Sequence, residues 1–337
     1  MPSLSFLLSK VCQADYGKAW KNVKDNARRA GRTAPGVALD MLWCALRYGA
    51  AFTDYHVFGF AFLRGRQRRD FILAADNKHM VSVFNSMEYR HIFENKTEFC
   101  RVFSEFLGRP YLVLKEANAS EFSAFLQGQE KIFVKKDDGF AGRGIACLDV
   151  SEEDPQAFLE RLRQEGYDLA EHVICQHSQL AALAPASVNT VRMVSVLDTK
   201  GQTHILLAAL RCGRGSRLDN LNAGGLAAMI DLQSGCVYTP GKAKDLQCYE
   251  THPVSGIALP GFRLPYWQEA LEMVRRAATR IPEVAYVGWD VAFTPTGPCL
   301  IEGNYHCGHD ILQIADGVGK RALFQPFLDE RTKKNKK

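Results

Sequence analysis

Three glycines in six residues, Gly139, Gly142 and Gly144, interrupt the chain between two short apolar runs. Glycine costs a helix or strand too much backbone entropy for either to continue through such a segment. The runs Lys131–Lys135 and Ile145–Val150 are therefore predicted as strands joined by a Gly-rich turn, Asp137 to Gly144. Tyr111–Leu114 has the length and composition of a strand before them. After them, Ser151 is placed to cap a helix with Glu152 and Glu153 in its first turn, reaching about Glu165. Val173–Gln176 reads as the next strand, so residues 111–176 form a small α+β unit.

The rest of the chain extends this pattern. Thr190–Leu197 and Thr203–Leu210 read as a strand pair around Asp198–Gly201, and Gly225–Asp231 with Cys236–Thr239 as a second pair. Pro265 opens a helix on which Leu271, Val274 and Ala278 keep helical spacing. Tyr286–Phe293 and Pro298–Glu302 then form a hairpin around Thr294-Pro-Thr-Gly297. Upstream, Trp20, Val23 and Ala27, and again Leu39, Leu42, Trp43, Leu46 and Ala50, predict two helices broken at Gly31–Gly36. The run Arg64–Arg69 could face phosphates or an anionic surface, but such a run is more often a solvated turn, the reading adopted.

Charge and cysteine content narrow the function classes. The formal net charge is +5, but Arg331, Lys333, Lys334, Lys336 and Lys337 supply five positives in a basic tail, leaving residues 1–330 neutral. A neutral body argues against nucleic acid as partner. Ten cysteines without a C-x-x-C read as free thiols rather than a zinc or disulfide framework. No stretch is long and uncharged enough to span a bilayer, and a cytoplasmic protein is expected.

G-x-S-x-G, H-E-x-x-H and G-x-x-x-x-G-K-[ST] are absent, which removes the main support for hydrolase, zincin and Walker-type readings. Three positive signals remain. Lys135 at a strand end before glycines suits a polyphosphate, as an ammonium plus backbone N–H groups; a plain hairpin with a solvated lysine accounts for it as well. Asp290 lies in the apolar run Val287-Gly-Trp-Asp-Val-Ala-Phe293, and Glu302 and Asn304 share a face of the partner strand. These three oxygen donors suit Mg²⁺, the alternative being carboxylates paired with lysines. Arg192, in Ser187-Val-Asn-Thr-Val-Arg192, sits in an apolar strand where its guanidinium requires a carboxylate or a phosphate.

In this order the motifs resemble the ATP-grasp superfamily, and most closely the sugar-transfer-associated ATP-grasp proteins, which are related to α-L-glutamate-ligase-like enzymes. The likeness runs from about Asp54 to Phe327 and takes in Asn95-Lys96, Phe106-Leu-Gly-Arg109, Asn222-Ala-Gly-Gly225, His252-Pro253 and Pro265–Asn304. It implies an α+β ATP-grasp fold, two subdomains clasping ATP, with a helical N-terminal region over 1–95. The small subdomain is expected at 96–176, the large at 177–330, and a disordered basic tail at 331–337.

The resemblance also assigns residues. Lys96 and Lys135 match nucleotide lysines, and Gly139, Gly142, Arg143 and Gly144 belong to the phosphate flap. Ile174 and Gln176 lie in the segment meeting adenine, with Asn189 near the nucleotide. Arg192 matches the arginine that steadies the transferred phosphoryl; Asp290, Glu302 and Asn304 match the Mg²⁺ ligands. Arg211, Asn222 and His252 are candidates for the substrate side; His306 and His309 have the look of a metal pair but, beside Asn304, are read as lining the pocket or as structural. The family usually has an acidic residue in or just after the adenine strand, where this chain has Gln176 and His177. The implied activity joins a small-molecule carboxylate to an amine through an acyl phosphate. Phosphorylation of a hydroxyl acceptor and nucleotide binding without catalysis are the alternatives.

Overall fold

A computed structural model describes residues 16–138, 144–150, 154–215, 219, 221 and 224–334. Two antiparallel sheets organise them. The smaller has the order β1-β4-β2-β3, built from β1 (Tyr111–Val113), β2 (Lys131–Lys135), β3 (Ile145–Asp149) and β4 (Leu169–His172). Its own core joins Ile132, Val134 and Ala170 to Phe122, Phe158, Leu159 and Leu162 from the helices Ala119–Leu126 and Pro155–Gln164.

The larger sheet has the order β11-β10-β5-β6-β7-β8-β9. Its strands are β5 (Thr190–Leu197), β6 (Thr203–Cys212), β7 (Leu226–Met229), β8 (Gly241–Lys242), β9 (Cys248–Tyr249), β10 (Tyr286–Thr294) and β11 (Gly297–Asn304). β5 is buried along its whole length, which is why it reads as a continuous apolar run rather than an alternation. The helix Trp267–Ala278 lays Ala270, Leu271, Val274 and Ala278 toward this sheet, the face its spacing predicts. Trp289 is fully buried against Phe93 and Phe103, and its indole N–H donates to Ser195 Oγ at 2.9 Å.

Several boundaries differ from the sequence reading. The strand expected at Val173–Gln176 lies at Leu169–His172, because Glu171, which makes that run look polar, is neutralised inside the sheet. Ser151, Glu152 and Glu153 lie outside the described residues; Asp154 caps the helix, accepting from Ala157 N–H at 3.1 Å, with Pro155 in the first turn. The second strand pair is present but short: Ile230 bridges Val237, and the Asp231 and Tyr238 N–H groups donate to the Cys236 and Met229 carbonyls at 2.8 and 2.9 Å, while further back β7 pairs with β8 at Ala227 and Lys242. The basic C-terminus begins inside a helix, Arg321–Lys334, where Arg331 donates to the Leu197 carbonyl. At this end, residues 335–337 lie outside the described residues.

The helical N-terminal region is present. α1 (Tyr16–Ala30) and α2 (Ala34–Tyr48) are joined by a short turn; Thr33 caps α2 and Gly49, at φ 75°, ends it. The buried face of α2 is Val37, Met41 and Cys44. Leu39, Leu42, Trp43 and Leu46, which carry the helical spacing, point outward instead. Arg64–Arg69 is not wholly solvated: Arg68 is buried and makes two hydrogen bonds to Asp40, at 2.7 and 2.8 Å.

This region is tied to the chain after β11 by an ion pair between His309 Nε2 and Asp54 Oδ1, 3.0 Å apart. Burial pushes the His309 pKa down, but Asp54 overcomes that and holds it above the ordinary histidine value. A raised folded pKa stabilises fully below the unfolded value and is lost as pH rises through the folded one. Asp54→Asn is therefore expected to drop the His309 pKa in an NMR titration and to remove that pH dependence. An unshifted His309 would show that another group holds its proton.

Candidate active site

The small sheet contributes cations. Lys135, the last residue of β2, reaches Glu171 Oε2 at 2.6 Å, and Arg109 clamps the same carboxylate with contacts of 3.0–3.1 Å. Burial raises the cost of a charged Glu171, but Lys135 and Arg109 outweigh it and hold its pKa below the usual range. Arg109 also donates to the Leu300 carbonyl of β11 at 2.7 Å, tying the two sheets together. Glu171 is the residue sequence reasoning missed. Its signal was the one used for Asp290, a lone acid in an apolar run, where an unpaired charge is costly.

Lys96 opens the helix Lys96–Val102, and its ammonium donates to the Lys136 carbonyl at 2.7 Å. Burial first, and the nearby Lys135 charge second, lower its pKa. Lys96, Lys135 and Glu171 share a cavity of about 270 Å³ with Glu302, Asn304 and His306. Two expected nucleotide lysines, from a helix and the small sheet, and two expected metal ligands, from the large sheet, thus face one space.

The large sheet supplies a buried charge network behind that cavity. Asp290 on β10 lies opposite Arg192 on β5 and Glu302 on β11. Arg192 Nε donates to Asp290 Oδ1 at 2.5 Å; Oδ2 accepts from Arg192 Nη2 at 3.1 Å and from Arg211 Nη1 at 2.9 Å. Arg211 Nη2 goes on to Asp219 Oδ1 at 2.9 Å, and Arg211 Nε is buried with no acceptor among the described residues. Burial opposes the Asp290 charge, yet the two guanidiniums hold its carboxyl well below the usual range. Glu302 is enclosed by packed atoms but open to the cavity; that enclosure, and then the Asp290 charge, push its pKa up.

Two glycines make this packing possible. A Cβ on Gly288 would stand 2.9 Å from Cys307 Sγ and 3.2 Å from Arg192 Cδ, and one on Gly303 would stand 3.0 Å from the Phe93 and Phe99 rings. The Gly-Trp-Asp and Glu-Gly-Asn motifs therefore keep glycine for space. Asn304 Nδ2 donates to the Gly288 carbonyl at 3.1 Å and to Glu302 Oε1 at 3.3 Å.

Other expected residues are engaged elsewhere. Asn189 is fully buried and donates to the Leu180 and Ala184 carbonyls at 2.8 and 3.1 Å, holding the helix Ser178–Leu183 rather than lining the cavity. Gln176 turns to the backbone of Ser187 and Asn189, and Ile174 is half-buried in the segment after β4. His252 donates from Nε2 to the Gly213 carbonyl at 2.7 Å. Gly144 follows the flap at φ 74°, while Gly139, Gly142, Arg143 and Asn222 lie outside the described residues. Among the described residues no three His, Cys, Asp or Glu side chains gather to hold a metal. The oxygen donors that fit Mg²⁺ are Glu302 and the Asn304 carbonyl, both facing the cavity; the Asp290 oxygens are already held by arginines.

Residues 75–327 match the family described as sugar-transfer associated ATP-grasp. No curated protein matches. Among solved structures, an N5-carboxyaminoimidazole ribonucleotide synthetase with ADP aligns at 12% identity and TM-score 0.42, covering 70% of this chain and 52% of that one. The ATP-grasp ligase PsnB, with a minimal precursor variant, Mg and ADP, aligns at 11% and 0.44, covering 77% and 66%. An L-amino acid ligase from Bacillus licheniformis aligns at 12% and 0.39, covering 70% and 48%. The chain thus spans about half to two thirds of the length of these proteins. The family match, over most of the chain, is the finding that assigns the fold.

Proposed function

Because the chain belongs to the sugar-transfer associated ATP-grasp family, we propose that it is an ATP- and Mg²⁺-dependent carboxylate–amine ligase working through an acyl phosphate. The observation that carries this reading is the shared cavity. The ammonium groups of Lys96 and Lys135 face Glu302 and Asn304 across it, with the Asp290–Arg192–Arg211 network behind. The same residues carry the sequence motifs.

Lys96 and Lys135 would neutralise the phosphate oxygens of ATP, and the chain around Gly144 would close over them. Mg²⁺, held by Glu302 and Asn304 beside Asp290, would draw charge off the phosphoryl oxygens. The substrate carboxylate oxygen forms a bond to the γ-phosphorus as the β–γ bridging P–O bond breaks and ADP departs. An amine then forms the C–N bond, the acyl C–O bond breaks, phosphate leaves, and the amine gives up a proton. Arg192 and Arg211 are fixed by Asp290, so their positive charge is in place before the phosphoryl group moves. Tailoring of a sugar or peptide for surface polysaccharide is the role we propose for the product, supported by the family's association with sugar transfer.

The test follows the γ-phosphate. Mg-ATP with pooled amino acids, amino sugars and sugar acids is expected to give ADP, equal free phosphate and a condensed product. ADP with a phosphorylated product and no free phosphate would make the protein a kinase instead. Lys135→Ala is expected to weaken ATP binding roughly tenfold to a hundredfold by calorimetry, the value of a charge-assisted contact. Unchanged affinity would take Lys135 out of the nucleotide site.

A further inference from the structure

α2 is apolar on both sides, yet among the described residues only one side is packed. Val37, Met41 and Cys44 face the core, while Leu39, Leu42, Trp43 and Leu46 stand 48–69% exposed at i, i+3, i+4 and i+7. A helix apolar all round is ordinarily covered on every side. Exposed Trp20 on α1 and Phe62 extend the apolar surface, and the Arg29 guanidinium sits 5.8 Å over the Phe62 ring.

The charge around this row is one-sided. Residues 16–69 hold eleven lysines and arginines against three aspartates. Lys21, Lys24, Arg28, Arg29, Arg32, Arg47, Arg64, Arg66 and Arg69 are exposed. Two of the acids are taken up internally, Asp40 by Arg32, Arg68 and Tyr55, and Asp54 by burial; Asp25, its side chain 41% exposed, lies 3.9 Å from His56.

This combination selects among occupants. A second copy would bring two strongly positive faces together. A nucleic acid would meet the cations but gain nothing from a row of leucines. An anionic bilayer surface takes both, the Leu and Trp side chains entering the acyl boundary and the cations meeting headgroup phosphates. We propose that the α1–α2 hairpin docks this enzyme on an anionic lipid surface, lying in the interface rather than crossing it. No helix among the described residues is long and apolar enough to cross a membrane. The proposal does not depend on the reaction catalysed.

The test is co-sedimentation of the full chain with vesicles of phosphatidylcholine alone or mixed with phosphatidylglycerol. Binding is expected only to the anionic vesicles, weakening with salt, with a blue shift in tryptophan emission from Trp43. Lys21→Glu with Arg28→Glu is expected to cut binding by roughly fivefold per cation replaced, or more. Trp43→Ala with Leu46→Ala, at exposed positions that leave the fold intact, is expected to cut it roughly tenfold. Failure to bind either vesicle, or equal binding to both, overturns the proposal. So does a dimer dissociated by Leu42→Arg, which gives the row to a second copy, or duplex-DNA binding that the Trp43 variant leaves unchanged. Trp43 already shielded from acrylamide in vesicle-free protein also overturns it, since the row would then be covered.

Discussion

An Asp290→Asn variant is expected to lose about 3–5 kcal/mol of stability, read from urea unfolding, because it leaves two buried guanidiniums short of their shared counter-charge. Arg192 rests on this carboxylate and Arg211 shares it while also pairing with Asp219, and Asp290 is almost wholly buried. The amide oxygen still accepts hydrogen bonds, but it carries no charge to offset the two cations. Replacing Arg192 by Met in the same chain should recover part of the loss, since the remaining charges then balance better. A single variant as stable as the parent would show that Asp290 is not the counter-ion.

Glu302→Gln is expected to do the opposite. Turnover should fall about 10²–10³-fold, the scale of losing one electrostatic contact to the reacting phosphoryl group. The unfolding midpoint should barely move, because Glu302 is open to the cavity and its charge opposes that of Asp290. Its neutral isostere removes a repulsion rather than an ion pair. Matching losses of stability and turnover would make Glu302 structural and remove it from the metal set. From the sequence alone both substitutions are expected to damage turnover far more than stability. The arginine pairing of Asp290 separates them.

The two residues also show what can be read from a sequence. Asp290 and Arg192 were visible because a charge inside an apolar strand requires a partner. That they satisfy each other was not, since 98 residues separate them and only strand pairing brings them together. The β10–β11 hairpin was legible because turn residues and apolar runs are local signals. Local signals also misled. α2 is apolar on two faces, so its spacing identified the helix without saying which face packs. Glu171 made β4 look like a loop, because Lys135 and Arg109, which make its burial tolerable, come from distant parts of the chain.

The strand order of the larger sheet bears on how the protein is made. Arg192 and Arg211 leave the ribosome on adjacent strands, but Asp290 follows 79 residues after Arg211. At ordinary translation speed that is on the order of ten seconds during which β5 and β6 hold two cations with no acid from β10 between them. Until then Arg192 lacks the carboxylate that holds it, and Arg211 has only Asp219. Shortened chains ending before β10 should therefore be substrates for chaperones and proteases rather than weakened enzymes. Quality control of this charge network is thus coupled to completion of the polypeptide.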